Sequence, residues 1–186
     1  MMYRDLEEYL GELEAVLSRC RVEYYRILRI ERDFAGIVEK KIRERCGENA
    51  IFQIYGEGLL ITRRAAIASL IRLKRAYMRG KMIARKTPIE YLLRTIGTRK
   101  ISRAIEISKA VSEGEKIMVI AICGDCEIDD LGGLIRKIEP SEEEILRGMR
   151  ILVSTCLEGD HIEEIESLER IEKILIGCGL RIEFET

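Results

Sequence analysis

The run Ile117-Met118-Val119-Ile120-Ala121-Ile122 constrains this chain more than any other stretch. Consecutive apolar residues leave no polar side for water. In a strand, side chains alternate between two faces, so both faces of this one must be covered. The run is far too short to cross a membrane, and no other run in the chain approaches that length. It reads as a central strand of a globular domain with material packed on each side of a sheet.

The rest of the sequence supplies that material. Tyr3, Leu6, Leu10, Leu13 and Leu17 recur at three- and four-residue spacing among acids, the pattern of an amphipathic N-terminal helix. Arg21 to Ile30 is rich in β-formers and reads as a strand. Asp33 is placed to cap a helix running to about Cys46. Ala50–Tyr55 and Leu59–Ile61 read as short strands around Gly56-Glu57-Gly58. Thr62 can cap a long helix to about Arg79, with Ala66, Ile67, Leu70, Leu73 and Tyr77 as its buried stripe. At about 100° per residue, Arg64, Arg72, Arg75 and Arg79 fall within about 80° of one another on the other side.

Thr87 to Ile107 predicts two short helices. Thr87 and Glu90 have capping-box spacing around Pro88, Gly97 ends the first helix, and Thr98 caps the second. Arg99 and Lys100 stand at the corner. Further on, Leu131–Lys137 predicts a weak helix, and Ser141 with Glu144 opens one to about Leu152. Asp160 and Glu163 repeat that pattern before a last helix, with Ile162, Ile165, Leu168, Ile171 and Leu175 on one face. Leu180–Phe184 reads as a final strand. This irregular alternation predicts an α/β chain of the α+β type, one domain with a mixed sheet packed by helices. Residues 1–18 read as a helical extension and 19–186 as the domain.

Charge is distributed unevenly. The net charge is −1, yet Ile61 to Ile89 holds nine Lys or Arg and no acid. Asp125 to Thr186 holds seventeen acids and seven bases. A basic half and an acidic half suggest two different partners. Charged residues make up 35 % of the chain, while Asn49 and Gln53 are its only amide side chains. That balance is a thermophile signature. The acidic, amphipathic N-terminus does not read as a signal peptide, and the cytoplasm is the expected location.

Few residues suggest catalysis. Cys123-Gly124-Asp125-Cys126 has redox-pair spacing, but Glu127, Asp129 and Asp130 would raise a thiol pKa where such chemistry needs it lowered. Zinc needs four ligands, and no second cysteine pair or nearby His is present in sequence. Two ordinary thiols are the plainer reading, ahead of a structural disulfide and of a redox or metal pair. His161, the single imidazole, stands at the start of an acidic helix, where a solvated residue is the ordinary outcome. Gly56-Glu57-Gly58 lacks a Walker lysine and a third Rossmann glycine. No enzyme and no cofactor are expected. The basic residues carry more. Arg64, Arg72, Arg75, Arg79, Arg94, Arg99, Lys100 and Arg103 could track phosphates, against the plainer reading of a solvated thermophile face.

The corner Glu90-x-Leu92-Leu93-Arg94-x-x-Gly97-Thr98-Arg99-Lys100-Ile101-x-x-Ala104-Ile105 resembles the kinase-binding subunit of the KEOPS complex, the family of the human PRPK-binding protein. The likeness runs from about Arg21 to the C-terminus and is tightest at the corner. Lys100 stands where that family usually has Gln. The resemblance implies a single α/β domain with a mixed sheet. It also implies a non-catalytic subunit of the machinery that makes N6-threonylcarbamoyladenosine at position 37 of tRNA. Such a subunit binds the kinase-like subunit directly and other KEOPS subunits indirectly. In archaeal members it recruits tRNA through the 3′ CCA end. On that basis the basic residues above, with Tyr91 nearby, are expected to meet RNA. The stripe Ile162, Ile165, Leu168, Ile171 and Leu175 is expected to contribute to the kinase-facing surface. No membrane contact is implied. Alternatives are another kind of nucleic-acid-binding domain or a thiol oxidoreductase using Cys123 and Cys126.

Overall fold

The computed structural model describes residues 2–30, 32–47, 49–56, 59–110, 116–157, 162, 165 and 167–184. Four strands form one sheet: β1 (Cys20–Ile27), β2 (Ala50–Gly56), β3 (Lys116–Cys123) and β4 (Ile135–Ile138). Their spatial order is β2-β3-β1-β4. Seven helices are described: α1 (Met2–Leu17), α2 (Phe34–Cys46), α3 (Arg63–Met78), α4 (Thr87–Ile96), α5 (Ile101–Ala110), α6 (Glu142–Leu157) and α7 (Leu168–Phe184). This is the α+β class the sequence predicts. Within the sheet all three pairings are antiparallel, which corrects the mixed sheet expected from the sequence.

The apolar run is β3, and it lies inside the sheet. Ile120 is opposite Glu23 of β1 on one side and Phe52 of β2 on the other. Its alternate residues separate the core into two layers. Met118, Ile120 and Ile122 pack with Phe34, Val38 and Ile42 of α2. Ile117 and Val119 face the layer built by the other helices, including Ile67, Leu93, Leu152 and Leu175. Ala121 meets Leu73 and Tyr91 on that same side. Both faces are therefore covered, which is why the run needs no polar residue.

Several local expectations are corrected. Leu59, Leu60 and Ile61 are buried but form no strand; the Ile61 carbonyl accepts a hydrogen bond from the Tyr24 hydroxyl at 2.7 Å. Asp33 precedes α2 in a left-handed conformation (φ 61°) and makes no side-chain cap. Leu131 to Leu134 is a turn leading into β4, where a weak helix was expected. Leu180–Phe184 is not a strand but the end of α7, because continuing the helix buries Leu180 and Ile182. Ser141 and Glu144 do form a reciprocal capping box, with Glu144 accepting from Ser141 N at 2.7 Å and Ser141 Oγ accepting from Glu144 N at 3.2 Å. Asp160, His161 and Glu163 lie outside the described residues.

All six cysteines are paired, as Cys20–Cys123, Cys46–Cys126 and Cys156–Cys178. Cys20 and Cys123 are opposite each other in the β1–β3 register. Cys46–Cys126 ties the end of α2 to the loop after β3, and Cys156–Cys178 ties α6 to α7. The two cysteines of Cys123-Gly124-Asp125-Cys126 are thus bonded to distant partners and not to each other.

Candidate nucleic-acid interface

The corner between α4 and α5 is built from the inside outwards. Glu90 is fully buried. One of its oxygens accepts from the backbone N–H groups of Ile83 (2.9 Å) and Ala84 (2.7 Å), and the other accepts from Arg94 Nε (2.9 Å) and Nη2 (2.7 Å). Arg94 also donates to the Lys81 carbonyl at 3.1 Å. Glu90 therefore does not close a capping box on Thr87. It fixes the connector from α3 against α4, and Lys86 takes the N-cap position. Pro88 sits in the first turn, as its missing N–H allows.

Gly97 ends α4 with φ 76°, a conformation that favours glycine. A side chain there would also strike α7, since a Cβ would lie 2.7 Å from the Cys178 carbonyl oxygen. Thr98 does not cap α5; its hydroxyl accepts from Lys100 N at 3.2 Å in the turn just before the helix. The turn leaves Arg99 and Lys100 exposed, with Ile101 beside them. Arg103 is half-buried and donates to the Thr155 carbonyl at 3.4 Å.

The basic side of α3 is not the open row that its wheel predicts. Arg72 is 1 % exposed. Its guanidinium donates to the Tyr9 hydroxyl, Ser69 Oγ and the carbonyls of Ile176 and Arg94. Arg94 is buried as well. These two arginines are interior fasteners and leave the exposed basic surface. Arg64 pairs with Glu14 at 2.9 Å. Arg75 pairs with Glu12 of α1 through Nε (2.8 Å) and lies 3.7 Å from Glu183 of α7. It also stands 5.1 Å above the Tyr9 ring. Burial pushes the Tyr9 hydroxyl pKa up, with the nearby arginines opposing. The acids missing from Ile61–Ile89 are supplied by elements distant in sequence.

Arg79 remains exposed, as do Lys81, Arg85 and Lys86. Between the end of α3, the following connector, α4 and the end of α7 lies a cleft of about 350 Å³. Arg75, Arg79, Lys81 and Arg99 form its cationic wall, Met82 and Ile182 give apolar surface, and Glu183 contributes a carboxylate. The aromatic expected nearby, Tyr91, is fully buried and donates to the Ala66 carbonyl at 2.9 Å. Tyr77, expected in the buried stripe, is instead 75 % exposed with Met78 in the last turn of α3. Its wheel position is apolar, but its side of that turn is left open, whereas Ala76 in the same turn is buried.

The apolar stripe is also placed differently: Ile162 and Ile165 precede α7, which begins only at Leu168. Ile162, Ile171 and Leu175 are buried, and Ile165 and Leu168 pack against the same core. The apolar face is therefore internal, leaving Glu169, Arg170, Lys173 and Arg181 outward. A second cleft holds Arg21, Glu23, Asp125, Glu127 and Lys137, but its charges are largely paired: Glu23 accepts from Arg21 at 3.0 Å and Lys137 at 2.8 Å. Among the described residues no cluster suits a metal ion, and no helix is long and apolar enough to cross a membrane.

No family model matches the chain, and no curated protein matches it.

Proposed function

We propose that this chain is a non-catalytic subunit of the KEOPS tRNA-modifying complex, binding its kinase-like subunit and recruiting tRNA through the 3′ CCA end in the cytoplasm of a thermophile. The observation that carries the reading is the cleft wall of Arg75, Arg79, Lys81 and Arg99, with exposed Arg85 and Lys86 in the connector before α4 and exposed Lys100 next to Arg99 at the corner. Single-stranded RNA needs cations for its phosphates and planar or apolar surface for its bases. Met82, Ile83 and Ile182 line the cleft and supply apolar surface of the second kind, while exposed Tyr77 and Met78 lie in the last turn of α3 outside its lining. Burial of Arg72 and Arg94 concentrates the interaction at the corner. Kinase binding rests on the resemblance, and on α7 it is confined to the outward charged residues.

Titration of intact and CCA-trimmed tRNA tests the RNA role. Arg99→Glu and Lys100→Glu are expected to weaken binding strongly, and Arg64→Glu only slightly, because Glu14 already neutralises Arg64. Trimming is expected to cost more than the lost phosphates alone, since stacking contributes about 1–3 kcal/mol per base. Equal affinity for both RNAs would remove the CCA role. A pull-down with the kinase-like subunit separates this reading from a stand-alone nucleic-acid-binding domain.

A further inference from the structure

Two of the three disulfides meet in one turn. Cys20–Cys123 and Cys46–Cys126 each join a buried cysteine to a half-buried one: Cys20 and Cys46 are 4 % exposed, while Cys123 and Cys126 are more open. The two more open residues are separated only by Gly124 and Asp125. Gly124 turns the chain with φ 94°, a conformation that favours glycine. A single guanidinium, that of Arg21, donates to the carbonyls of both Gly124 (3.0 Å) and Cys126, so the turn is folded back on itself. The third link has no such arrangement, since neither Cys156 nor Cys178 has another cysteine near it in sequence.

The charge around this turn also differs from what the sequence suggests. Asp129 is paired with Arg45, the residue before Cys46, and Asp130 accepts from Gly132 N at 3.0 Å. Glu127 is exposed, where dissolved ions screen it. Cations stand at both links. Arg21 follows Cys20 and holds the turn, and Arg63 donates to the Cys20 carbonyl through Nε at 3.2 Å. Positive charge beside a sulfur favours the thiolate, the species that attacks a disulfide.

We propose that this turn is a disulfide relay, in which one dithiol reductant undoes both links and leaves a Cys123–Cys126 disulfide with Cys20 and Cys46 as thiols. A thiolate of the dithiol attacks the Cys126 sulfur and breaks its bond to Cys46, which leaves and takes a proton. The second thiol of the reductant then closes it into a disulfide and releases Cys126 as thiolate. Cys126 attacks the Cys123 sulfur, the Cys123–Cys126 bond forms, and Cys20 leaves and takes the remaining proton. Entry at Cys123 runs in the mirrored order to the same product. Two electrons and two protons thus pass from the dithiol to Cys20 and Cys46. One reduction thereby unties β1 from β3 and α2 from the loop after β3. Nothing in the relay depends on RNA binding.

The test uses the full chain and dithiothreitol as the dithiol, with no denaturant during reduction. Acid stops the exchange, a maleimide labels the thiols in acidic denaturant, and mass spectrometry maps the chains that carry two labels. Label is expected on Cys20 and Cys46, with Cys123 and Cys126 in one intact disulfide. Label on Cys46 with Cys126, on Cys20 with Cys123, or on Cys156 with Cys178 overturns the relay. A chain that dithiothreitol reduces only in denaturant overturns it too. Cys20→Ser gives a second measurement that needs no reductant. It leaves Cys123 as the free thiol, which is expected to take Cys126 from Cys46, so that the label shifts from Cys123 to Cys46. Label that stays on Cys123 overturns the relay.

Discussion

Arg72 shows how far a single residue can depart from what its sequence position suggests. On the wheel of α3 it belongs to a basic row, but in the fold it joins four helices: its guanidinium reaches Tyr9 of α1, Ser69 of α3, the Arg94 carbonyl of α4 and the Ile176 carbonyl of α7. Gly179 makes room for it, because a Cβ there would collide with the guanidinium. Gly179→Ala is expected to destabilise the protein by about 1–3 kcal/mol, read as a lower urea midpoint with an unchanged slope. Glu90→Ala strands the buried Arg94 charge and the Ile83 and Ala84 N–H groups. It is expected to cost about 3–5 kcal/mol, more than the Gly179 change. A loss below about 1 kcal/mol would mean that water replaces the carboxylate. Neither role was legible beforehand. A wheel gives the direction of a side chain but not what covers it, and here the cover comes from α1 and α7. Glu90 was ambiguous for another reason: it stands three residues after Thr87 and four before Arg94, and both spacings make helical partners.

Among the elements, the local signals that succeeded were those with little competition. Ser141 and Glu144 are exposed or half-exposed, so nothing outbids their reciprocal bonds. Gly97 succeeded because a left-handed helix end and the close approach of α7 both favour glycine. The apolar run gave β3, including burial on both faces. Leu180–Phe184 failed because strand propensity is weak beside the burial gained by extending α7. Leu59–Ile61 failed because burial alone does not make a strand. Ser141→Ala is expected to cost about 1 kcal/mol. The same cap makes a pH prediction. The Ser141 N–H first, and its hydroxyl second, hold the Glu144 carboxyl below its ordinary value of 4.5. A carboxylate with a depressed folded pKa stabilises fully above the ordinary value, and that contribution is lost as pH falls through the folded one. Between Glu144→Gln and wild type, the stability difference should therefore shrink as pH is lowered from about 5. A constant difference would show that the box does not depend on charge.

At the scale of the whole molecule, the three disulfides join parts that the sequence leaves unconnected. Cys20–Cys123 spans 103 residues, Cys46–Cys126 spans 80 and Cys156–Cys178 spans 22. Spacing alone gave no pairing, because Cys123 and Cys126 sit close in sequence while their partners depend on the β1–β3 register and on where α2 ends. Disulfides persist in oxidising compartments and also inside cells of hyperthermophiles, so the highly charged, amide-poor composition and the pairing are compatible. Cross-links act largely by restricting the unfolded chain, and longer spans restrict it more. Replacing both Cys46 and Cys126 by Ser should cost about 4.5 kcal/mol on that basis, and replacing both Cys156 and Cys178 about 3.4 kcal/mol. Urea unfolding without reductant measures both. With reductant present, the wild type should fall below either double variant measured without it, since it then loses all three links. Labelling with a thiol reagent in denaturant should find no reactive cysteine until reductant is added. Labelling of Cys123 and Cys126 without reductant would return the segment to ordinary thiols and remove the link between α2 and the sheet. A wild type that unfolds at the same urea concentration with and without reductant would show instead that the two core layers hold the fold unaided.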